Sequence, residues 1–115
     1  MSESLQTREI AAGVSIAPQL TPEMMREVAA AGFRSVINNR PDFEAGATQP
    51  TDAALAAAAQ AAGLVYAYQP VSSRQVTTDD VSRFGELLAE LPQPLLAFCR
   101  SGARCNILFQ AATRD

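Results

Sequence analysis

The sequence predicts a three-layer α/β fold in which a central, mostly parallel sheet of four to five strands is flanked by helices. Short apolar segments alternate with longer segments whose apolar residues recur at helical spacing. Glycine or proline stands at many of the boundaries between them. The run from residue 95 to residue 98 is apolar throughout, as expected for a central strand buried on both faces.

The first half of the chain is predicted to hold two strands, one helix and a long loop. Residues 13–16 form the first strand, and Thr21 is the predicted N-cap of a helix that ends near residue 31. Residues 33–38 form the next strand. Residues 39–50 contain two prolines and no period, which predicts a long loop of the kind that often carries function.

The second half continues the alternation. An alanine-rich helix begins at residue 51 or 52 and ends at 63, and residues 64–68 form a strand. A third helix begins near Thr77, with Asp80 completing a capping box. Residues 106–112 have helical character. The core-facing residues predicted for the third helix are Val81, Phe84, Leu88 and Leu91.

Size, composition and charge narrow the class of protein. With 115 residues, 48% hydrophobic and 18% charged, we predict a single domain over residues 1–115. The net charge of −3 and the scattered basic residues disfavour nucleic acid as a partner. The segment 1–9 is polar, and no apolar stretch approaches the roughly 18 residues that cross a bilayer. We therefore expect a cytoplasmic protein with no membrane partner.

The inventory of reactive side chains is short. The two cysteines do not form a disulfide framework, and the absence of histidine excludes a Cys–His pair and any histidine-containing metal site. We expect no metal and no cofactor. Reactivity or burial must explain the cysteines.

Cys99 follows the predicted strand 95–98, at the edge where open α/β sheets bind their ligands. Gly102 allows a tight turn in which successive backbone N–H groups converge at the N-terminus of the next helix. These groups, together with Arg100 and Arg104, should lower the pKa of Cys99. We therefore predict a thiolate nucleophile that faces solvent. The alternative is a buried cysteine beside a solvated turn.

Arg104 offers a planar fork of donors for a tetrahedral oxyanion, and we predict that Cys99 and Arg104 are the catalytic pair. Cys105 has two interpretations: a small residue packed in the first turn of the helix, or a resolving thiol that attacks an oxidised Cys99. The predicted anion-binding loop consists of Arg100, Ser101, Gly102, Ala103 and Cys105.

Four segments resemble a known bacterial family. They are VSIAPQLTP at 14–22, AGFRSVINNRPD at 31–42, QPV at 69–71 and FCRSGAR at 98–104. The family consists of phosphatase-like domains, alone or fused to persulfide-dioxygenase-type hydrolases, and is known as beta-lactamase hydrolase-like or sulfur transferase proteins. The resemblance covers nearly the whole chain. It implies a fold similar to that of protein tyrosine phosphatases.

The resemblance leaves two activities open. Cysteine phosphatases carry His-Cys, five residues and Arg, whereas this chain has four residues between Cys99 and Arg104, as in rhodanese-type sulfurtransferases. Those phosphatases also use a general acid, usually an aspartate in the region where this chain has Ser72 and Ser73. Asp42, Asp79 and Asp80 are possible substitute acids, although a turn explains Asp42 more simply and a helix start explains Asp79 and Asp80 more simply. The candidate accessory residues are Arg40, Asp42 and Ser73.

The leading hypothesis is a sulfurtransferase in which Cys99 takes a sulfane sulfur from thiosulfate or a persulfide and passes it to a thiol. The alternative is a cysteine-dependent phosphatase acting through phosphocysteine. A third hypothesis is a catalytically weak adaptor that binds an oxyanion. The expected ligand is a small sulfur-containing anion, a persulfide or a phosphate ester, and a persulfide dioxygenase is the expected partner protein.

Overall fold

The computed structural model describes residues 4–114, and its centre is a five-stranded sheet. Four helices accompany the sheet: α1 Met25–Ala30, α2 Asp52–Ala61, α3 Thr78–Glu90 and α4 Ala103–Ala112. The strands are β1 Arg8–Ala11, β2 Val14–Ala17, β3 Ser35–Asn38, β4 Val65–Tyr68 and β5 Leu95–Phe98.

The strand order is β1-β2-β5-β3-β4, with β1 antiparallel to β2 and every other pair parallel. Parallel neighbours require crossover connections, and helices supply them. This arrangement confirms the predicted three-layer α/β fold with a mostly parallel sheet. Among residues 4–114, no helix is long and apolar enough to cross a membrane.

The central strand β5 divides the core into two clusters. Leu95 and Ala97 pack on the face covered by α3 and α4, whereas Leu96 and Phe98 pack on the face covered by α1 and α2. All four side chains are fully buried. Because side chains alternate across a strand, this burial on both faces explains the continuous apolar run in the sequence.

Two predicted elements need correction at the N-terminal end. The prediction missed β1, a short edge strand in which two of the four residues are charged, and which pairs with β2 through a tight turn at Gly13 (φ 80°). The first helix begins as a 3₁₀ turn over Pro22–Met24 and becomes α-helical only at Met25. Thr21 occupies the predicted N-cap position, that of this 3₁₀ turn, with Pro22 as the first helical residue, but its side chain makes no capping hydrogen bond.

The later elements agree more closely with the predictions. Thr77 and Asp80 form the predicted capping box, through bonds of 3.1 and 2.9 Å. The predicted face of α3 is confirmed, and Leu87 is a further buried member of it. Helix α4 begins three residues earlier than predicted, at Ala103, because Gly102 at φ 94° turns the chain directly into the helix.

Leu96→Ala is expected to lower the free energy of unfolding by about 2–5 kcal/mol, because it leaves a cavity between β5 and the helices α1 and α2 that cover this side chain. The measurement is urea denaturation followed by circular dichroism. The control is Gln60→Ala on the exposed face of α2, which should change stability by less than about 0.5 kcal/mol. Equal effects of the two substitutions would contradict the central position of β5.

Candidate active site

The segment 99–104 connects β5 to α4 and is called the Cys99 loop here. Gly102 adopts a left-handed conformation with φ 94°, and its backbone N–H donates to Cys99 Sγ over 3.1 Å. A Cβ atom at this position would lie 3.4 Å from the carbonyl oxygen of Ala17. Both observations explain why glycine occupies the turn that brings backbone donors to the sulfur.

The loop lowers the pKa of Cys99 to about 5. The largest contribution is a hydrogen bond from the Cys105 thiol, and the backbone N–H groups of Cys105, Gly102 and Ser101 add to it, while burial acts in the opposite direction. The predicted thiolate is therefore supported by the geometry. The donors are the neighbouring thiol and the amides, however, rather than the two guanidinium groups that the sequence analysis emphasised.

The sequence analysis predicted that Cys99 faces solvent, and this prediction is wrong. The residue is only 1% exposed, because the end of β5 lies within the core cluster under α3 and α4. It lines a cavity of about 230 Å³ together with Arg104, Ser73 and Ile107. A small substrate would reach the sulfur through this cavity, which we call the Cys99 cavity.

Cys105 is fully buried beside Cys99, and its pKa is raised by burial and by the contact with the Cys99 sulfur. It therefore remains a protonated thiol that donates a hydrogen bond to the thiolate. This contact also suits the resolving-thiol hypothesis. Unchanged sensitivity of Cys105→Ser to a hydroperoxide would contradict that role.

Arg104 is held in place by three hydrogen bonds. Its Nη1 donates to the carbonyl oxygens of Asn39 and Val71, over 3.2 and 2.9 Å, and its Nη2 donates to Glu44 Oε1 over 3.0 Å. The Nε atom is buried and has no partner among residues 4–114. A buried donor without a partner is costly, and a bound oxyanion would supply the missing acceptor.

Glu44 was not predicted from the sequence, although it positions two arginines. Its Oε1 accepts from Arg104 and also from Arg40 Nε over 2.9 Å. Partial burial opposes ionisation, but the hydrogen bonds and charges of Arg104 and Arg40 outweigh it and lower the pKa of Glu44. Glu44 lies 60 residues from Arg104 in sequence, on a loop without periodicity, so no local pattern could have revealed the pairing.

The structure separates the three accessory candidates. Ser73 lines the Cys99 cavity, and Arg40 lines a larger neighbouring cavity that also contains Arg104. Asp42 lines neither: its Oδ1 accepts from the backbone N–H of Asp52 over 2.7 Å, at the start of α2. Its carboxylate is therefore engaged at a helix N-terminus, and the substitute-acid interpretation of Asp42 is not supported by its position.

The other predicted loop residues share the site but differ in surroundings. Arg100 and Ser101 are exposed at its entrance, and Ser101 Oγ accepts from the backbone N–H of Ala103 over 3.3 Å. Ala103 lines the Cys99 cavity as the first residue of α4. The structure therefore brings all seven residues from 99 to 105 together.

Comparison with known proteins places this site in a family. The profile described as "Beta-lactamase hydrolase-like protein, phosphatase-like domain" matches residues 6–113. The chain belongs to this family. It is 39% identical over 82 residues to a beta-lactamase hydrolase-like protein of Agrobacterium fabrum, and this match covers 71% of this chain but only 19% of that protein. The matched region thus spans about a fifth of that relative's length.

Solved structures of phosphatase type are similar to this phosphatase-like domain. A candidate phosphatase from Neisseria meningitidis is 34% identical, with a TM-score of 0.81 over 88% of this chain and 71% of that chain. TpbA of P. aeruginosa, solved in complex with pTyr, is 15% identical, with a TM-score of 0.64 over 89% of this chain and 58% of its own, and shows the fold alone. The family match and the Neisseria structure favour a phosphatase-like protein, and the comparisons give no support to the predicted sulfurtransferase.

Cys105→Ala is expected to raise the pKa of Cys99 in the phosphatase-like domain by about 1 or more, because the thiolate loses its largest hydrogen-bond contribution. The measurement is the rate of iodoacetamide alkylation of Cys99 against pH. This rate should fall as pH decreases through about 5 in the unaltered protein. Cys105→Ser, which retains a donor, should leave the midpoint close to that value. Identical profiles for all three proteins would contradict the role of Cys105.

Proposed function

We propose that this domain is a cysteine-dependent phosphatase in which the Cys99 thiolate attacks phosphorus and forms a phosphocysteine. The observation that carries the proposal is the pairing of a sulfur whose pKa is about 5 with a buried guanidinium that has an unpartnered Nε. The first supplies a nucleophile at neutral pH, and the second supplies a donor for a phosphoryl oxygen. The name of the matching family points in the same direction.

The first step transfers the phosphoryl group to sulfur. The S–P bond forms while the P–O bond of the substrate breaks, and the electron pair of that bond leaves on the departing oxygen. The Arg104 guanidinium, and those backbone N–H groups of the Cys99 loop that do not already donate to the sulfur, would stabilise the charge on the equatorial phosphoryl oxygens. Asn39, Val71 and Glu44 keep that guanidinium in place, so little reorganisation is needed during the reaction.

The second step releases phosphate. A water molecule attacks phosphorus, the S–P bond breaks, and its electron pair returns to Cys99 as thiolate. The water yields its protons to the products and solvent. The hydrogen bonds from Cys105 and Gly102, which stabilise the thiolate in the resting protein, also make it a good leaving group here.

The leaving group receives little help from the protein. Glu44 is the only carboxylate among the described residues that line the Cys99 cavity and its neighbour, and its lowered pKa keeps it ionised. A residue without a proton cannot act as a general acid. We therefore expect faster hydrolysis of compounds whose leaving groups are stable as anions, such as aryl phosphates, than of alkyl phosphates.

Sulfur transfer is the second candidate, because two observations favour it. Four residues separate Cys99 and Arg104, and no protonated acid lines the Cys99 cavity among residues 4–114. In this reaction the thiolate attacks a sulfane sulfur, the S–S bond of the donor breaks, and sulfite or a thiolate departs with the electron pair. Such leaving groups need no proton.

One experiment separates the candidates. The protein is incubated in parallel with 4-nitrophenyl phosphate, thiosulfate and glutathione persulfide, acid-quenched, and weighed intact. We expect a phosphoryl adduct on Cys99 with the aryl phosphate and steady release of inorganic phosphate. A sulfur adduct without phosphate release would replace this proposal by sulfur transfer. Binding of an anion with neither adduct would instead support the oxyanion-binding adaptor.

A further inference from the structure

A second cavity, of about 720 Å³, lies beside the Cys99 cavity and is called the arginine cavity here. The two cavities share Ser73, Arg100 and Arg104 in their walls. The arginine cavity therefore offers adjoining space for a group that extends from a phosphoryl bound in the Cys99 loop. The residues of this cavity would contact the part of a substrate that is not transferred to sulfur.

The arginine cavity is strongly cationic. Arg40, Arg74, Arg100 and Arg104 line it with a single carboxylate, that of Glu44, which leaves an excess of three positive charges. The whole chain, by contrast, has a net charge of −3. Four of its nine basic residues are thus concentrated at one opening, and their combined positive potential attracts an anionic group.

The four arginines are not equally engaged. Glu44 holds Arg104 and Arg40, and Gln19 Oε1 accepts a further hydrogen bond from Arg40 over 2.9 Å. Neither Arg74 nor Arg100 makes a side-chain hydrogen bond or ion pair with any residue from 4 to 114. A single phosphoryl group satisfied by the loop amides and Arg104 would leave these two guanidinium groups without an anion.

We propose that the substrate is a polyanionic phosphoanhydride, with the phosphoryl group in the Cys99 loop and the departing phosphate in the arginine cavity. This inference rests on the proposed phosphoryl transfer. Two independent observations lead to it: the excess of arginine, which matches a second anionic group, and the lack of a protonated acid. A phosphate leaving group explains both observations. Its negative charge pairs with the arginines, and it departs as a stable anion without receiving a proton.

The chemistry follows the same two steps. The Cys99 sulfur attacks the terminal phosphorus, the S–P bond forms, and the anhydride P–O bond breaks. Its electron pair remains on the bridging oxygen of the shortened phosphate chain, where Arg74 and Arg100 would neutralise the added charge. Water then cleaves the phosphocysteine, which releases inorganic phosphate and restores the thiolate.

The test compares kcat/KM for inorganic tripolyphosphate, 4-nitrophenyl phosphate and 1,3-propanediol bisphosphate. Tripolyphosphate should be the best of the three, and the bisphosphate ester the poorest, because its alkoxide leaving group needs a proton. Arg74→Gln should lower the ratio of the tripolyphosphate value to the nitrophenyl phosphate value by about tenfold or more. The control Arg83→Gln, on the exposed face of α3, should leave this ratio unchanged.

The outcomes distinguish the two proposals. If the unaltered protein forms no phosphocysteine with any of the three substrates, the proposed phosphatase function is overturned, and this inference with it. Turnover of the aryl phosphate with an unchanged ratio in Arg74→Gln would overturn only the arginine cavity as the second anion site. A bisphosphate ester hydrolysed as fast as tripolyphosphate would overturn the anhydride assignment, since a second anion alone would then suffice.

Discussion

Cys99→Ser should reduce phosphatase turnover by about 10³-fold or more and eliminate the covalent phosphoenzyme. The loop lowers the pKa of the thiol to about 5, so the native nucleophile is ionised at neutral pH. A serine hydroxyl in the same place starts from a far higher pKa and remains protonated. The measurements are steady-state hydrolysis of 4-nitrophenyl phosphate at pH 7 and the intact mass of the quenched protein.

Cys105→Ser is the matched control for this substitution. It makes the same chemical change six residues away, at a side chain that donates to the nucleophile rather than attacking. We expect it to retain most of the turnover and the phosphoryl adduct. Thermal unfolding of both variants should show that each is folded. Comparable activity of Cys99→Ser and the unaltered protein would rule out Cys99 as the nucleophile.

Arg104→Lys should reduce kcat/KM by about 10²- to 10³-fold while the alkylation of Cys99 keeps its pH profile. Lysine retains the positive charge but loses the planar fork, including the Nε donor that has no partner among residues 4–114. The Cys99 thiolate should persist, because its largest stabilising contributions come from Cys105 and the loop amides. Kinetics and alkylation rates measured on the same preparation separate transition-state binding from thiolate formation.

Arg83→Lys serves as the control for loss of a guanidinium. Arg83 lies on the exposed face of α3 and pairs only with Glu86 and Glu90 among the described residues, so its replacement should leave kcat/KM unchanged. Arg104→Lys also removes hydrogen bonds to two buried carbonyl groups, and urea denaturation will measure that cost separately. A folded Arg104→Lys protein with undiminished kcat/KM would contradict the role of the fork.

Local patterns in the sequence were sufficient for most of the scaffold. The apolar run of β5, the capping box at Thr77 and Asp80, and the alternation of strands and helices predicted the α/β class correctly. The edge strand β1 was missed because an exposed strand has little apolar surface to reveal it. The early start of α4 was missed because Gly102 places the helix immediately after the turn.

The sequence by itself determined the reactive loop, because residues 99 to 105 are contiguous and their chemistry depends on local backbone geometry. Only the tertiary structure decided what surrounds this loop. In it, Glu44 contacts Arg104, and the Asp42 carboxylate accepts a hydrogen bond at the start of α2. Arg40, Arg74 and Arg100 line the same cavity. The physical reason is that charge pairing and cavity shape arise between segments that are distant in sequence, where periodicity and spacing carry no information.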